Sequence, residues 1–539
     1  MAEGTTSPDV QFITLTAKGV QLWCQQSPSK SVQNKWSLLG ADASSPITDC
    51  FLSDDGTCLA VTLRQSVLIY RQERPDEGFS KLHLELPIAE AKSINFSPKS
   101  TFVAVGTALT SMESKNLRLY EVSTGKLLYE LNDTKRDLIK WTSDESLAYR
   151  MVGSELYFYE NNDFSKPAKK IAQKIASYSL AFNKLTGRIH VAIMVKGVKS
   201  TPSSVKVYSY PHVDNVVAQQ SLFKSDSVDV KWNSKGDAMV LLATQDIDTT
   251  GQSYYGQTFA HFLDLKGNAC LVGGKKAGSV HSCEWLPNNE GFIAIYGKTP
   301  AAITLYNPKG DAIYQFGEAP VNTVLLNPFG NLVAFGGFGN LAGDVHVWNL
   351  KSRTKISHFQ VSDTTQFDWT ADGLHMITST HYARLKVANG FKVWDYLGNH
   401  LHTEGCRDDL NLPLYRVLPV ASSAFPAPEV AATVKGKIMT EKPVYKYVPP
   451  SQRTEKQRRE AAKKQAALKS RLQGGPAAAA AGDVSGKEKK VQALEKKLQQ
   501  IEKLKQSQAE GKQLEKNQLD KLEKEQEVIE ELKALKLQG

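Results

Sequence analysis

The sequence predicts an all-β chain: a single nine-bladed β-propeller closed by both chain ends, then a flexible linker and short C-terminal α-helices. Three observations predict it. Between Asn331 and Tyr396 one pattern runs almost twice: apolar run, Gly/Asn bend, alternating strand, aromatic end. Its units are Leu332-Val333-Ala334-Phe335 to Val345-His346-Val347-Trp348, then Phe367-Asp368-Trp369 to Lys392-Val393-Trp394-Asp395. The same unit recurs along the chain at a period of roughly forty residues, as a four-stranded blade does. Unpaired strand-like segments remain at both ends, and a ring removes its exposed edges by joining them.

Taken in order, Phe12–Thr16 and Val20–Trp23 read as two strands about the turn Ala17-Lys18-Gly19. Eight repeats follow, each with an apolar or aromatic anchor before a polar turn. The anchors are Leu52, Phe96, Trp141, Phe182, Trp232, Trp285, Leu326 and Trp369, spaced 44, 45, 41, 50, 53, 41 and 43 residues apart. Apolar runs such as Leu59-Ala60-Val61 or Phe292-Ile293-Ala294-Ile295 come next. Second strands then end in Tyr70, Tyr120, Tyr159, Tyr208 or Tyr306. Period-two alternation turns the faces of such strands toward neighbouring blades, where aromatics supply packing area. Leu414–Leu418 follows the eighth repeat, and it joins the N-terminal pair as a ninth blade. Two smaller propellers or an open array are the alternatives. The ring is assigned to residues 1–424.

Past Ala424 the Pro-punctuated runs FPAPEVAATVKGK and EKPVYKYVPPSQR cannot form a regular element and read as a basic linker over 425–486. Thr454–Leu472 within it is a possible solvated helix. In 487–539, Val491, Leu494, Leu498 and Ile501 share one helical face; Leu514, Leu522, Ile529, Leu532 and Leu535 form a second stripe. A helical hairpin or short coiled coil fits this pattern.

The formal net charge is +10. Residues 1–435 carry 42 Lys/Arg against 41 Asp/Glu, and residues 436–539 carry 24 against 15, so nine of the ten positive charges lie in the last fifth. A neutral body with a basic tail places polyanion binding on the tail. The six cysteines show no CxxC and no metal spacing, so neither a metal nor a disulfide framework is expected. The N-terminus has no apolar signal core and no run reaches the ~20 residues of a membrane span, so a cytoplasmic chain is expected. Gly336–Gly343 (GGFGNLAG) and Gly273–Ser279 (GGKKAGS) lack the Lys-Ser/Thr spacing of a phosphate loop and are expected as turns, with no nucleotide cofactor. No hydrolase, metalloprotease or kinase motif appears, so no catalytic residue is expected and an enzyme is the weakest class.

Two groups are candidate RNA contacts. On the ring, the loop His381, Tyr382, Arg384, Lys386, Asn389 combines cations with an aromatic, and the insertion Gln245–Thr258 carries Tyr254 and Tyr255. In the tail, Lys456, Arg458, Arg459, Lys463, Lys464, Lys469 and Arg471 form a like-charge cluster suited to phosphates.

The run GFGNLAGDVHVWNLKSRTKI…DTTQFDWTADGLHMITST…ARLKVANGFKVWDY, the loop SYYGQT and the C-terminal GKQLEKNQLDKLEKE resemble the eukaryotic translation initiation factor 2A family. The resemblance implies a nine-bladed WD-repeat propeller, although Trp394-Asp395 is the one literal Trp-Asp end. It implies a factor that binds the small ribosomal subunit and directs initiator methionyl-tRNA to it on selected mRNAs, depending on the codon and not on GTP. Other initiation factors are possible partners; no membrane is expected. The helical tail also resembles the ribosome-binding segment of an exon-junction-complex disassembly factor. That likeness makes Lys512, Gln513, Lys516 and Asn517, with Leu514, Glu515, Gln518 and Leu519, candidates for ribosome contact. Two rivals remain. One is the propeller subunit (b) of the large multi-subunit initiation factor, disfavoured because only about ten residues precede the first strand. The other is a WD-repeat scaffold that never touches RNA.

Overall fold

The computed structural model describes residues 9–439, apart from 26–31, 40–45, 74–77, 80, 112–113, 135–136, 199–200, 224, 246–255, 275–277, 387, 406–412 and 423–424. Its described residues contain 36 strands and no helix, arranged as nine antiparallel four-stranded sheets. Blade 1 combines Val10–Thr16, Gly19–Gln25 and Val32–Leu39 with Leu414–Pro419 from the far end of the chain. Phe12 pairs with Pro419, Ile13 with Leu418 and Thr14 with Val417, so the expected closure is present in register. Blades 2 to 9 follow in order between Asp49 and Gly405, one for each anchor.

Every anchor is the last residue of its blade's innermost strand, as Trp232 is in Ser227–Trp232 and Trp369 is in Gln366–Trp369. Two of the anchor indoles reach the preceding blade, while Trp141 Nε1 donates to Asn162 Oδ1 of its own blade at 2.8 Å. Trp285 Nε1 donates to Lys231 O at 2.8 Å, and Trp369 Nε1 to Leu325 O at 3.0 Å. A half-buried indole satisfies its N–H this way while burying its rings.

The second strands read as unbroken apolar runs because both faces are buried. In Cys58–Thr62, Cys58 and Ala60 pack toward blade 3, while Leu59 and Val61 pack toward blade 1. Nine apolar clusters of described residues, one at each junction between neighbouring blades, carry the core around the ring. The cluster between blades 9 and 1 joins Phe12, Trp23, Ile377, Phe391, Val393, Leu414 and Val417.

Most of the polar turns after the anchors are built on one carboxylate or amide, and the turn after Phe96 on the Ser97 hydroxyl, which accepts from Phe102 N at 2.9 Å. In the turn after Trp369, Asp372 accepts from Thr370 Oγ1 at 2.6 Å, from Leu374 N at 3.1 Å and from His375 Nδ1 at 2.6 Å. Burial alone would raise Asp372, but the His375 and Thr370 bonds outweigh it and hold the carboxyl below its ordinary value.

Gly337–Gly343 connects two strands of blade 8, as expected, while residues 275–277 of the Gly273–Ser279 stretch lie outside the described residues. Gly337–Gly343 is closed by Gly337 N to Asp344 O at 2.8 Å and by Gly343 N to Gly337 O at 2.9 Å. Gly343 has φ +88°, and a Cβ there would lie 1.9 Å from Val361 O, so only glycine fits.

Residues 425–439, which composition places at the start of the linker, lie instead as a strap against blades 8 and 9. Val430 and Val434 pack on the cluster of Phe359, Trp369 and Trp394. Prolines cannot donate, so the strap is held partly through its carbonyls: Asn331 Nδ2 donates to Pro428 O at 2.6 Å and Asn349 Nδ2 to Val430 O at 3.1 Å. Beyond Gly436 it pairs parallel to the outer strand Thr354–Gln360. His358 N donates to Lys437 O at 2.8 Å and Met439 N to His358 O at 2.9 Å. The tail from 440 onward lies outside the described residues.

Candidate functional site

The loop His381–Asn389 joins the second and third strands of blade 9, next to the seam where the ring closes. Its backbone is tied across that seam: Tyr382 N donates to Leu414 O at 2.8 Å on the closing strand. On the other side, Ala17 N of the first hairpin donates to Pro413 O at 3.1 Å. Blade 9, the closing strand and the N-terminal hairpin therefore meet on one rim.

The structure separates the expected loop residues into two groups. His381 faces inward, with Nε2 at 2.9 Å from Ser379 Oγ and its backbone N donating to Thr365 Oγ1 at 2.9 Å. Burial lowers its pKa, and the charges of Arg416 and Arg384 lower it further, so the ring is neutral at neutral pH. Asn389 is buried and donates to Leu385 O at 2.6 Å. These two residues shape the loop. Tyr382, Arg384 and Lys386 form its outer face: Lys386 Nζ sits 5.8 Å from the Tyr382 ring centroid, and both cations are exposed.

Sequence reasoning missed Tyr415 and Arg416. Tyr415 is 42% exposed, and its ring meets Tyr382 edge-on at 6.3 Å between centroids. No simple alternation marks it: the pairing with the first strand shifts between Leu15 and Thr16 and skips Tyr415, so Leu414 and Val417, three residues apart, join the same buried cluster while Tyr415 stays exposed. Arg416 clasps blade 1 to blade 2. Its Nε lies 3.0 Å from Asp49 Oδ1, a terminal nitrogen donates to Cys50 O at 3.2 Å, and its guanidinium lies 5.0 Å from the Phe51 centroid. Burial raises Asp49, with the bond from Cys50 N and the Arg416 charge pulling the other way. Arg416 is thus committed to closure.

Tyr254, Tyr255 and all the tail candidates (Lys456, Arg458, Arg459, Lys463, Lys464, Lys469, Arg471, Lys512, Gln513, Lys516, Asn517) lie outside the described residues. Among the described residues no group of three His, Cys, Asp or Glu side chains could hold a metal. Burial pushes the Cys24 thiol up to about 11 and Cys50 to about 12, and raises Cys283 as well, so these thiols stay protonated. No helix among the described residues is long and apolar enough to cross a membrane.

The seam presents a rim of aromatics and cations on a closed nine-bladed β-propeller. Comparison with known proteins sharpens that class. Residues 220–411 match the model of the family described as Eukaryotic translation initiation factor eIF2A. The chain is 33% identical over 397 residues to the eukaryotic translation initiation factor 2A of Drosophila melanogaster, covering 71% of this chain and 62% of that protein. The Caenorhabditis elegans protein of the same name is 35% identical over 329 residues, covering 58% and 57%. A crystal structure described as that of the eukaryotic initiation factor superposes with a TM-score of 0.64 at 22% identity, covering 77% of this chain and 99% of that one; this likeness speaks to the fold. The chain belongs to the eukaryotic translation initiation factor 2A family. It spans about three fifths of the length of these two relatives.

Proposed function

We propose that this initiation factor binds the small ribosomal subunit and directs initiator methionyl-tRNA to it on selected mRNAs, in a codon-dependent, GTP-independent way, in the cytoplasm. In this reading the ring of residues 1–424 with its strap 425–439 positions partners, residues 440–486 connect, and the helical tail 487–539 helps to anchor the ribosome. Other initiation factors are further partners. The observation that carries the reading is family membership combined with the charge asymmetry of the chain, nine of ten net positive charges lying beyond residue 435. Such a tail releases counterions from RNA phosphates, which makes affinity fall steeply with salt. Independence from GTP is supported by the Gly337–Gly343 loop, where Gly337 N donates to Asp344 O, Gly343 N to Gly337 O and Phe338 N to Asn322 Oδ1, and whose flank lacks a phosphate-binding lysine.

The test is co-sedimentation with small subunits across a salt series, comparing the full chain with one carrying Lys456→Glu, Arg458→Glu, Arg459→Glu, Lys463→Glu and Lys464→Glu. The charge-reversed chain should pellet less and lose part of the salt slope while its thermal unfolding stays unchanged. A pellet indifferent to both salt and substitution points to a scaffold that binds proteins alone.

A further inference from the structure

The rim at the seam holds a feature that the tail-centred reading does not use. Tyr382 comes from blade 9 and Tyr415 from the closing strand of blade 1, and they meet edge to face at 6.3 Å. Among the described residues neither phenol hydroxyl has a hydrogen-bond partner, and Tyr415 keeps 42% of its surface exposed. A ring that served only to pin the seam would be buried, as Tyr208 is at 2% exposure, and Tyr415 is not. Around them stand Arg384 and Lys386, both exposed, and Lys18, in the turn tied to Pro413 two residues before Tyr415. None of the three cations has a carboxylate partner among the described residues. Arg416 is spent on Asp49, so it adds rigidity and no free charge.

We propose that Tyr415, backed by Tyr382, is a stacking platform for an unpaired nucleotide of single-stranded RNA, with Arg384, Lys386 and Lys18 contacting the flanking phosphates. This inference rests on the initiation-factor reading and gives its ring an RNA class. An exposed aromatic face stacks any base, and flanking cations hold the backbone; a duplex offers no free base to such a platform. The site draws on blade 9, the closing strand and the first hairpin, so it exists only while the ring is closed.

The experiment uses the full chain carrying the five tail substitutions above, which removes most tail binding. Fluorescence anisotropy measures a labelled oligouridine of about ten nucleotides against the same strand in a duplex. A thiouridine-containing copy is photocrosslinked and the modified peptides are mapped. Single strand should bind better than duplex, with crosslinks in the peptides that contain Tyr382 and Tyr415. Tyr415→Ala should weaken single-strand binding by about 5- to 100-fold, the range of one lost base stack. Tyr415→Phe should stay within about twofold, because stacking needs the ring and not the hydroxyl. Arg384→Ala with Lys386→Ala should reduce the salt slope by roughly 1.4, at about 0.7 per phosphate contact. Equal binding by Tyr415→Ala and the parent, with unchanged Tm, overturns the inference, as do crosslinks confined to the tail. If small-subunit co-sedimentation persists in that case, the platform falls and the initiation-factor reading stands; if co-sedimentation fails for the unmodified chain, that reading falls by itself.

Discussion

The seam is the one place where neighbouring strands of a blade are not linked by a hairpin, which makes Phe12 a sensitive probe of closure. Its side chain is 1% exposed, stacks on Trp23 at 6.4 Å between centroids and meets Phe391 of blade 9 edge-on at 5.2 Å. Phe12→Ala removes a buried aromatic and leaves a cavity, a change that costs about 3–5 kcal/mol. Unfolding about 430 residues cooperatively carries an entropy of roughly 0.9 kcal/mol/K, so Tm should fall by about 3–5 °C. Phe292→Ala is the control: Phe292 is fully buried in blade 7, stacked on Tyr306 at 4.9 Å, and its strands are joined by hairpins. It should lower Tm by a similar amount. Hydrogen exchange then separates the two. Phe12→Ala should speed exchange in Val10–Thr16 and Leu414–Pro419 well beyond the rest of the ring, because the ladder between them has only side-chain packing and backbone bonds to hold it. Phe292→Ala should not. Equal exchange profiles in the two variants, or a Tm drop below about 1 °C for Phe12→Ala, would refute the role given to this blade.

Three other outcomes are expected. Val430→Asp with Val434→Asp puts two carboxylates into the apolar contact under the strap; proteolysis within 425–439 should become fast while the ring stays folded, and unchanged protection would show that the strap is not held by those valines. His346 is buried beside His358 at 4.2 Å between centroids, and burial, with the charges of His358 and Lys355, lowers it from 6.5 to about 3. The unfolded chain therefore binds a proton there that the folded chain refuses, so stability is lost as pH falls below about 6.5 and down toward about 3; His346→Phe should flatten that limb in a denaturation series. Asp372 behaves likewise for a different reason: its folded pKa is depressed, so its contribution is present above the unfolded value and is lost as pH falls through the folded one. Asp372→Asn should remove that pH dependence and lower stability at neutral pH, read by chemical denaturation.

Much of the ring is legible in the sequence because its inner three strands obey strong rules. Leu59-Ala60-Val61 or Phe292-Ile293-Ala294-Ile295 must be apolar on both faces, and each anchor ends an inner strand before a turn with a fixed polar hub. The outer strands obey weaker rules. Leu82–Leu86 is mostly exposed and Leu127–Leu131 is exposed or half-buried throughout, so no period marks them, and the third N-terminal strand Val32–Leu39 is likewise not expected from the sequence. The strap was hidden for another reason. Its Pro-rich composition argues against a ladder, and it is held through carbonyls by asparagines nearly a hundred residues away, a partnership no local pattern encodes. In the candidate site the loop residues Tyr382, Arg384 and Lys386 were legible from composition. His381 reads as a contact in sequence because its burial depends on Thr365 and Ser379 in the fold, and Tyr415 is not marked because its partner lies in the neighbouring blade and its strand is irregular at that point.

The most direct test of the account is a reconstruction of the chain bound to the small ribosomal subunit with initiator methionyl-tRNA. The account predicts the rim at blades 9 and 1 against unpaired RNA, with a base on Tyr415, and the segment from Lys456 to Arg471 along ribosomal phosphates. A ring turned with that rim to solvent, and a tail that meets no RNA, would contradict it.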